Sequence, residues 1–135
     1  VDALVNLGGV HFSRARESRG ADRESLQQAT QLYERALRLA PGRYEARLNL
    51  GACYPLSGDL PMAQAAYEAV VEQAPGDGLA ALNLGTLYLQ RARQEPRSAD
   101  WHLLAQEQLQ RAVRLLPGNE SARRALAAAL AGEAR

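Results

Sequence analysis

The residues able to attack a substrate, hold a metal or move a proton are few in this chain, and they stand apart. Neither His11 nor His102 has a cysteine, carboxylate or second histidine three or four residues away, the helical spacing that gathers ligands around one ion. His11 reads as a core residue and His102 as a solvent-facing neighbour of Trp101. Cys53 is the single cysteine, so no internal disulfide forms and the redox compartment stays open. Beside the stretch from Gly51 to Tyr54 it reads as a small buried hydrophobe. Serines fall at caps and turns, and Gly8-Gly9 lies in a helical pattern, not in a loop that could cradle phosphate. No enzyme, metal or cofactor is expected. More telling are Asn6, Asn49 and Asn83, whose amides offer both a donor and an acceptor to a neighbouring backbone.

The elements that carry these amides repeat. Leu50 and Gly51 recur at Leu84 and Gly85, and Ala29, Tyr33, Ala36 and Pro41 recur at Ala63, Tyr67, Val70 and Pro75, always 34 residues on. A constant step across such different chemistries marks one supersecondary unit used several times. Leu7 and Gly8 precede Leu50 and Gly51 by 43 residues, and Ala105, Leu109, Ala112 and Pro117 follow the Ala63 set by 42. Both length changes sit at the same internal turn: Gly51 and Ala63 are 12 apart, Gly8 and Ala29 are 21 apart, and Gly85 and Ala105 are 20 apart. Growth at a turn leaves packed helix middles intact.

The repeats are therefore placed at residues 1–43 with an insertion near 16–24, 44–77, and 78–119 with an insertion near 93–100, followed by a capping helix over 120–131. The first helix is expected from Asp2, as N-cap, to Ser18, packing through Leu4, Leu7, Gly8 and His11 and ended by Gly20. The second starts after Asp22 and carries Leu26, Ala29, Tyr33, Ala36 and Ala40 at intervals of three or four. Pro41 stops it, and Gly42 is expected to supply a left-handed turn. Tyr44 to Leu56 form the third helix, bent in its last turn by Pro55. The fourth runs from an Asp59 cap to Pro75, and the fifth from Leu79 to Arg93. Ser98 is expected to cap a sixth whose stripe runs from Trp101 through Ala105, Leu109, Ala112 and Leu116. Asn119 caps the last, with Ala122, Leu126 and Leu130 inward.

Composition fits one globular domain, with 47% apolar and 23% charged residues in 135. A net charge of +1 supplies too few unpaired cations for phosphate backbones, so nucleic acid is not expected as a partner. No run approaches the ~18 apolar residues of a membrane helix, and no signal-peptide pattern opens the sequence, so membrane insertion is not expected either. Because Val1 enters a helical pattern at once, the chain is expected to be a piece of a longer protein.

Leu50, Gly51, Tyr54, Gly58, Ala63, Tyr67 and Pro75, at these separations, resemble the tetratricopeptide repeat. The resemblance implies an all-α fold of seven helices, antiparallel pairs stacked into a right-handed superhelix or α-solenoid, whose concave groove holds a segment of another protein. His11, Val70 and Leu109 depart from the family pattern as core substitutions. Gly8, Gly51 and Gly85 are expected to meet Ala29, Ala63 and Ala105 at close helix crossings.

On the first helix of each pair a second stripe points away from the packing partner: Val5, Asn6, Gly9 and Phe12; Leu48, Asn49, Ala52 and Leu56; Leu79, Leu82, Asn83, Thr86 and Leu89. Together they would form an apolar wall with amides, suited to a hydrophobic or amphipathic segment. The amides could instead bond between neighbouring helices, and the leucines could be covered by further repeats or by self-association. Part of the family clamps chaperone C-terminal carboxylates with Lys and Arg, but here the corresponding places hold Val5, Leu48, Leu79, Ser121 and Ala125. Arg14, Arg16, Arg19 and Arg23, with Arg91, Arg93 and Arg97, cluster at the insertions, where helix C-termini favour positive charge.

Overall fold

The computed structural model describes residues 1–97 and 100–133. Among them are seven α-helices and no strand: α1 (Asp2–Glu17), α2 (Arg23–Leu39), α3 (Tyr44–Cys53), α4 (Leu60–Gln73), α5 (Gly78–Gln94), α6 (Trp101–Leu115) and α7 (Glu120–Glu133), with a 3₁₀ turn at Tyr54–Ser57. The fold class is all-α, helix pairs of the solenoid kind. The chain divides into two compact units, Val1–Ala66 and Tyr67–Arg135.

Short polar side chains set most of the helix starts. Asp22 accepts from the Ser25 backbone N–H at 3.0 Å and from Ser25 Oγ at 2.7 Å, and these bonds hold its carboxyl below the usual carboxylate range. Asp59 accepts from Met62 N–H at 3.2 Å and Asn119 from Ala122 N–H at 3.0 Å. Asp77 caps α5 through the N–H groups of Leu79 and Ala80. Two starts differ from the sequence reading. Val1 occupies the cap position of α1, and Asp2 lies inside the first turn, paired with Arg43. Ser98 lies outside the described residues; the cap of α6 is Asp100, which accepts from Leu103 N–H at 3.2 Å.

The Pro-Gly stops work differently from the expectation. Ala40 N–H closes α2 onto Ala36 O at 2.8 Å, and Arg43 N–H then reaches Ala40 O at 3.0 Å. The same two bonds recur after α4 at Ala74 and Asp77 and after α6 at Leu116 and Asn119. Gly42, Gly76 and Gly118 are thus central residues of ordinary β-turns, and the left-handed glycines are Gly20 and Gly58. At Gly20 a side chain is doubly excluded, by a φ of +83° and by the Leu56 carbonyl oxygen only 2.5 Å from where a Cβ would stand. Pro55 falls in the 3₁₀ turn, where its missing N–H tightens the end of the third helix instead of kinking a longer one.

In the first unit α1 pairs with α2 and α2 with α3 around Ala15, Leu26, Ala29, Tyr33, Leu50 and Cys53. The inward stripe of α1 is Gly8, Phe12 and Ala15. Leu7, expected inside, is 48% exposed, because a stripe centred on Gly8 turns its neighbour outward. His11, expected to pack in the core, is half-buried beside Leu7, with a buried Nδ1 that has no hydrogen-bond partner among the described residues. In the second unit α5 pairs with α6, Gly85 against Leu109 and Tyr88 against Trp101, and Leu84, Leu87, Tyr88, Trp101, Ala105 and Leu109 are all buried. Trp101 stacks on Tyr88 with centroids 6.0 Å apart and donates its indole N–H to Glu95 O at 2.9 Å. On α7 the buried residues are Ala122 and Ala129, whereas Leu130 is 46% exposed. The Gln106 amide reaches Ala129 O at 3.4 Å, an approach that needs alanine on that face.

The crossings at Gly8 and Gly85 are close, but the nearest atoms across them belong to Tyr33 and Leu109, with the Ala105 carbonyl oxygen 3.4 Å from the Cβ position of Gly85. A Cβ on Gly8 would stand 2.6 Å from Tyr33 Cε1, and one on Gly85 would stand 2.5 Å from Leu109 Cγ. Ala29 and Ala105 are fully buried one turn away, and glycine makes room for the larger neighbour.

Burial pushes the Tyr33 phenol up to about 12 and the Cys53 thiol up to about 11. Both groups are kept neutral by folding. Their stabilisation is whole below the unfolded values near 9 to 10 and disappears as pH rises through 11 to 12. The chain has no lysine, so the other side chains that titrate from about pH 9 upward are chiefly its four remaining tyrosines. The first unit is expected to lose on the order of 2 kcal/mol per group between pH 9 and 12. Urea midpoints measured across that range should fall in step with tyrosinate absorbance; a constant midpoint would contradict the burial argument.

Candidate functional site

In the first unit the candidate residues separate into two groups. Val5, Phe12 and Leu56 lean on the Tyr33 core, and Arg16 lies over the Phe12 ring at 5.7 Å. Asn6 is exposed, while Leu48, Asn49 and Ala52 are half-buried on α3. Leu48 and Ala52 lie one turn apart on the side of α3 away from buried Leu50 and Cys53, so they are the apolar groups this surface can offer.

In the second unit α5 has two faces. Leu84, Gly85 and Tyr88 are buried toward α6; Leu79 is 53% exposed, Thr86 is exposed, and Asn83 is half-buried. Leu82 packs on Ala81, Ala112 and Ala122, which ties it to α7, and Leu89 is only 8% exposed. None of the amides of Asn6, Asn49 and Asn83 makes a side-chain hydrogen bond among the described residues. The alternative role as interhelical bonds is therefore absent there, and their donors and acceptors face water.

Beyond Leu89 the same stripe runs on to Ala92 and Arg93, where the insertion has lengthened the helix. Leu89, Ala92 and Arg93 line a cleft of about 410 Å³ with His102 of α6 and Ala128, Ala131 and Gly132 of α7. His102, expected to face solvent beside Trp101, is half-buried, with its ring against Gly132 so closely that no Cβ would fit there. Of these residues sequence reasoning named only Leu89 as a candidate and missed the rest. The step of four from Leu89 to Arg93 was available as a signal, but an arginine in a last helical turn already had an explanation in the helix dipole.

Arg91 is occupied otherwise. Its guanidinium lies 4.7 Å over Trp101 and pairs with Glu95 at 2.8 Å. Tyr88 donates to Glu68 Oε1 at 3.0 Å, and burial together with that carboxylate raises its phenol above the ordinary range. Among the described residues no three His, Cys, Asp or Glu side chains come together as a metal site. No described helix is long and apolar enough to cross a membrane.

Residues 21–84 match the tetratricopeptide repeat family. No curated protein sequence matches the chain. Among solved structures, the Sgt2 TPR domain from Aspergillus fumigatus is similar at 21% identity and a TM-score of 0.76, over 96% of this chain and 76% of that one. The first TPR of Spaghetti (RPAP3), bound to the HSP90 peptide SRMEEVD, is similar at 14% identity and 0.71, over 97% and 96%. The Yersinia enterocolitica type III secretion chaperone SycD, in complex with a peptide of the translocator YopD, is similar at 16% identity and 0.72, over 98% and 96%. At these identities the likeness is one of fold.

Proposed function

We propose that this chain, a member of the tetratricopeptide-repeat family, is a protein-interaction scaffold that binds an extended or helical segment of a partner on the outward stripes of its α1, α3 and α5 helices. The carrying observation is the pairing of unbonded amides with accessible apolar neighbours: Asn83 beside Leu79, and Asn49 beside Leu48. Leucines bury the visitor's side chains while the amides engage its backbone. Similar folds that hold an HSP90 peptide and a YopD peptide support this reading. We read the three repeats and last helix as one binding domain without catalytic chemistry.

Leu79 and Leu48 are the residues on which the reading can be tested, since Leu82 also holds α7 and its loss would confuse folding with binding. A displayed library of random twelve-residue peptides is selected on the purified chain, and the winners are measured by fluorescence anisotropy. Leu79→Glu and Leu48→Glu are each expected to weaken binding about 10- to 100-fold, the equivalent of one leucine's burial, with helical content and melting unchanged. Unchanged affinity in both variants would remove the assignment.

A second reading, self-association or packing against further repeats, is favoured by one observation: Leu7, Val10 and Leu39 of the first unit are 48%, 50% and 62% exposed. Sedimentation equilibrium over a wide concentration range distinguishes it. A species that stays monomeric counts against self-association, and a dimer abolished by Val10→Glu supports it.

A further inference from the structure

Resting on the peptide-binding reading, we propose that the cleft at the C-terminal end of α5 is a subsite for an acidic side chain next to an apolar one in the bound segment. The insertion builds it. By the 34-residue step, Ala92 and Arg93 correspond to Gly58 and Asp59, which are turn residues in the compact copy, so that copy has no such wall. In the third copy the added helical turns carry the outward stripe past Leu89 and stand it opposite α7.

The composition of the cleft selects its occupant. Leu89, Ala92, Ala128 and Ala131 give an apolar lining in which three alanines leave room for a visiting chain to come close. Arg93 and His102 supply the polar atoms, and no acidic side chain lines the space among the described residues. Arg93 has no ion pair among the described residues. Among the described side chains, Glu95 pairs with Arg91 and Asp100 accepts from the N–H of Leu103. A wholly apolar visitor would strip water from Arg93 and return nothing for it, whereas a carboxylate returns a charge-assisted, two-point hydrogen bond. Gly132 fixes the other side of the cleft, because its missing side chain is what lets the His102 ring seat against α7. Phosphate backbones fit poorly, since two cations in a chain of net charge +1 give little long-range attraction.

The same peptide selection provides the test. Winners on the unmodified chain should carry Asp or Glu adjacent to Leu, Ile, Val or Phe well above the library frequency. For a synthesised winner, Arg93→Ala and replacement of the peptide acid by its amide should each weaken binding about tenfold. The two changes together should weaken it little more than either alone, because they remove the same contact. Ala131→Leu, at an exposed position, should fill the cleft and weaken binding comparably. Melting temperatures should be unaltered in both variants. Winners without acidic enrichment, or acidic winners indifferent to Arg93→Ala, would overturn the subsite while leaving peptide binding in place. So would affinity that follows amidation of the peptide's C-terminus and not its side-chain acid. If no peptide is enriched at all, the underlying reading falls with it.

Discussion

Replacing Gly85 by valine is expected to destabilise the second unit by about 3 kcal/mol, the upper end of the range for overpacking a filled core. The first added carbon alone would stand 2.5 Å from Leu109 Cγ and 2.7 Å from its Cδ2. Leu109 is fully buried, so it has no solvent-facing rotamer to retreat into. α5 and α6 must then separate, and the Tyr88–Trp101 stack beside the crossing opens with them. Urea unfolding followed by tryptophan fluorescence reads this directly, because Trp101 is the chain's single tryptophan. Adding Leu109→Ala should restore part of the loss in the double variant, although Leu109→Ala alone is expected to cost about 2 to 5 kcal/mol. Simple additivity of the two losses would mean that the glycine is not there to admit that leucine.

Tyr33→Ala is expected to be the most damaging single change in the first unit, at about 3 to 5 kcal/mol. The ring is 1% exposed, lies against Gly8 and centres the cluster that joins α1, α2 and α3. Its removal leaves a void bordered by helices whose caps and turns hold them apart, so collapse is incomplete and the cavity persists. Circular dichroism during urea titration should show the midpoint falling steeply, while Tyr33→Phe, which keeps the ring, should stay within about 1 kcal/mol of the parent. A mild effect of Tyr33→Ala would show that the three helices do not depend on one central side chain.

These two sites show where sequence reading stops. That Gly8 and Gly85 lie at tight crossings follows from their recurrence at a fixed step, because only a contact made the same way each time constrains the same position to the smallest residue. What fills the space they leave does not follow. Ala29 and Tyr33 are one turn apart on the same face of α2, and periodicity cannot say which of two residues on a stripe meets a given residue across the crossing. The same ambiguity of one residue in helix phase misplaced Leu7 and Leu130. Gly42 was misread for a different reason: a glycine after proline permits a left-handed turn, but whether the turn needs one depends on hydrogen bonds that the sequence does not display.

The candidate surface divides in the same way. Asn49 and Asn83 share a register with the packing residues, and their outward direction is a consequence of helical geometry alone. Leu82 and Leu89 sit on the same outward stripe as Leu79, yet the structure covers them more deeply. Local pattern determined the helices, most of their caps and the resemblance to the tetratricopeptide repeat, since these depend on hydrogen bonds and on spacings that the sequence itself displays. Tertiary structure alone decided which face of α7 is buried, what occupies each glycine crossing, and that Arg93 and His102 come to share a cleft. Those outcomes depend on the rotation of one helix against another, and a shift of one residue, about 100° around the helix axis, exchanges inside for outside.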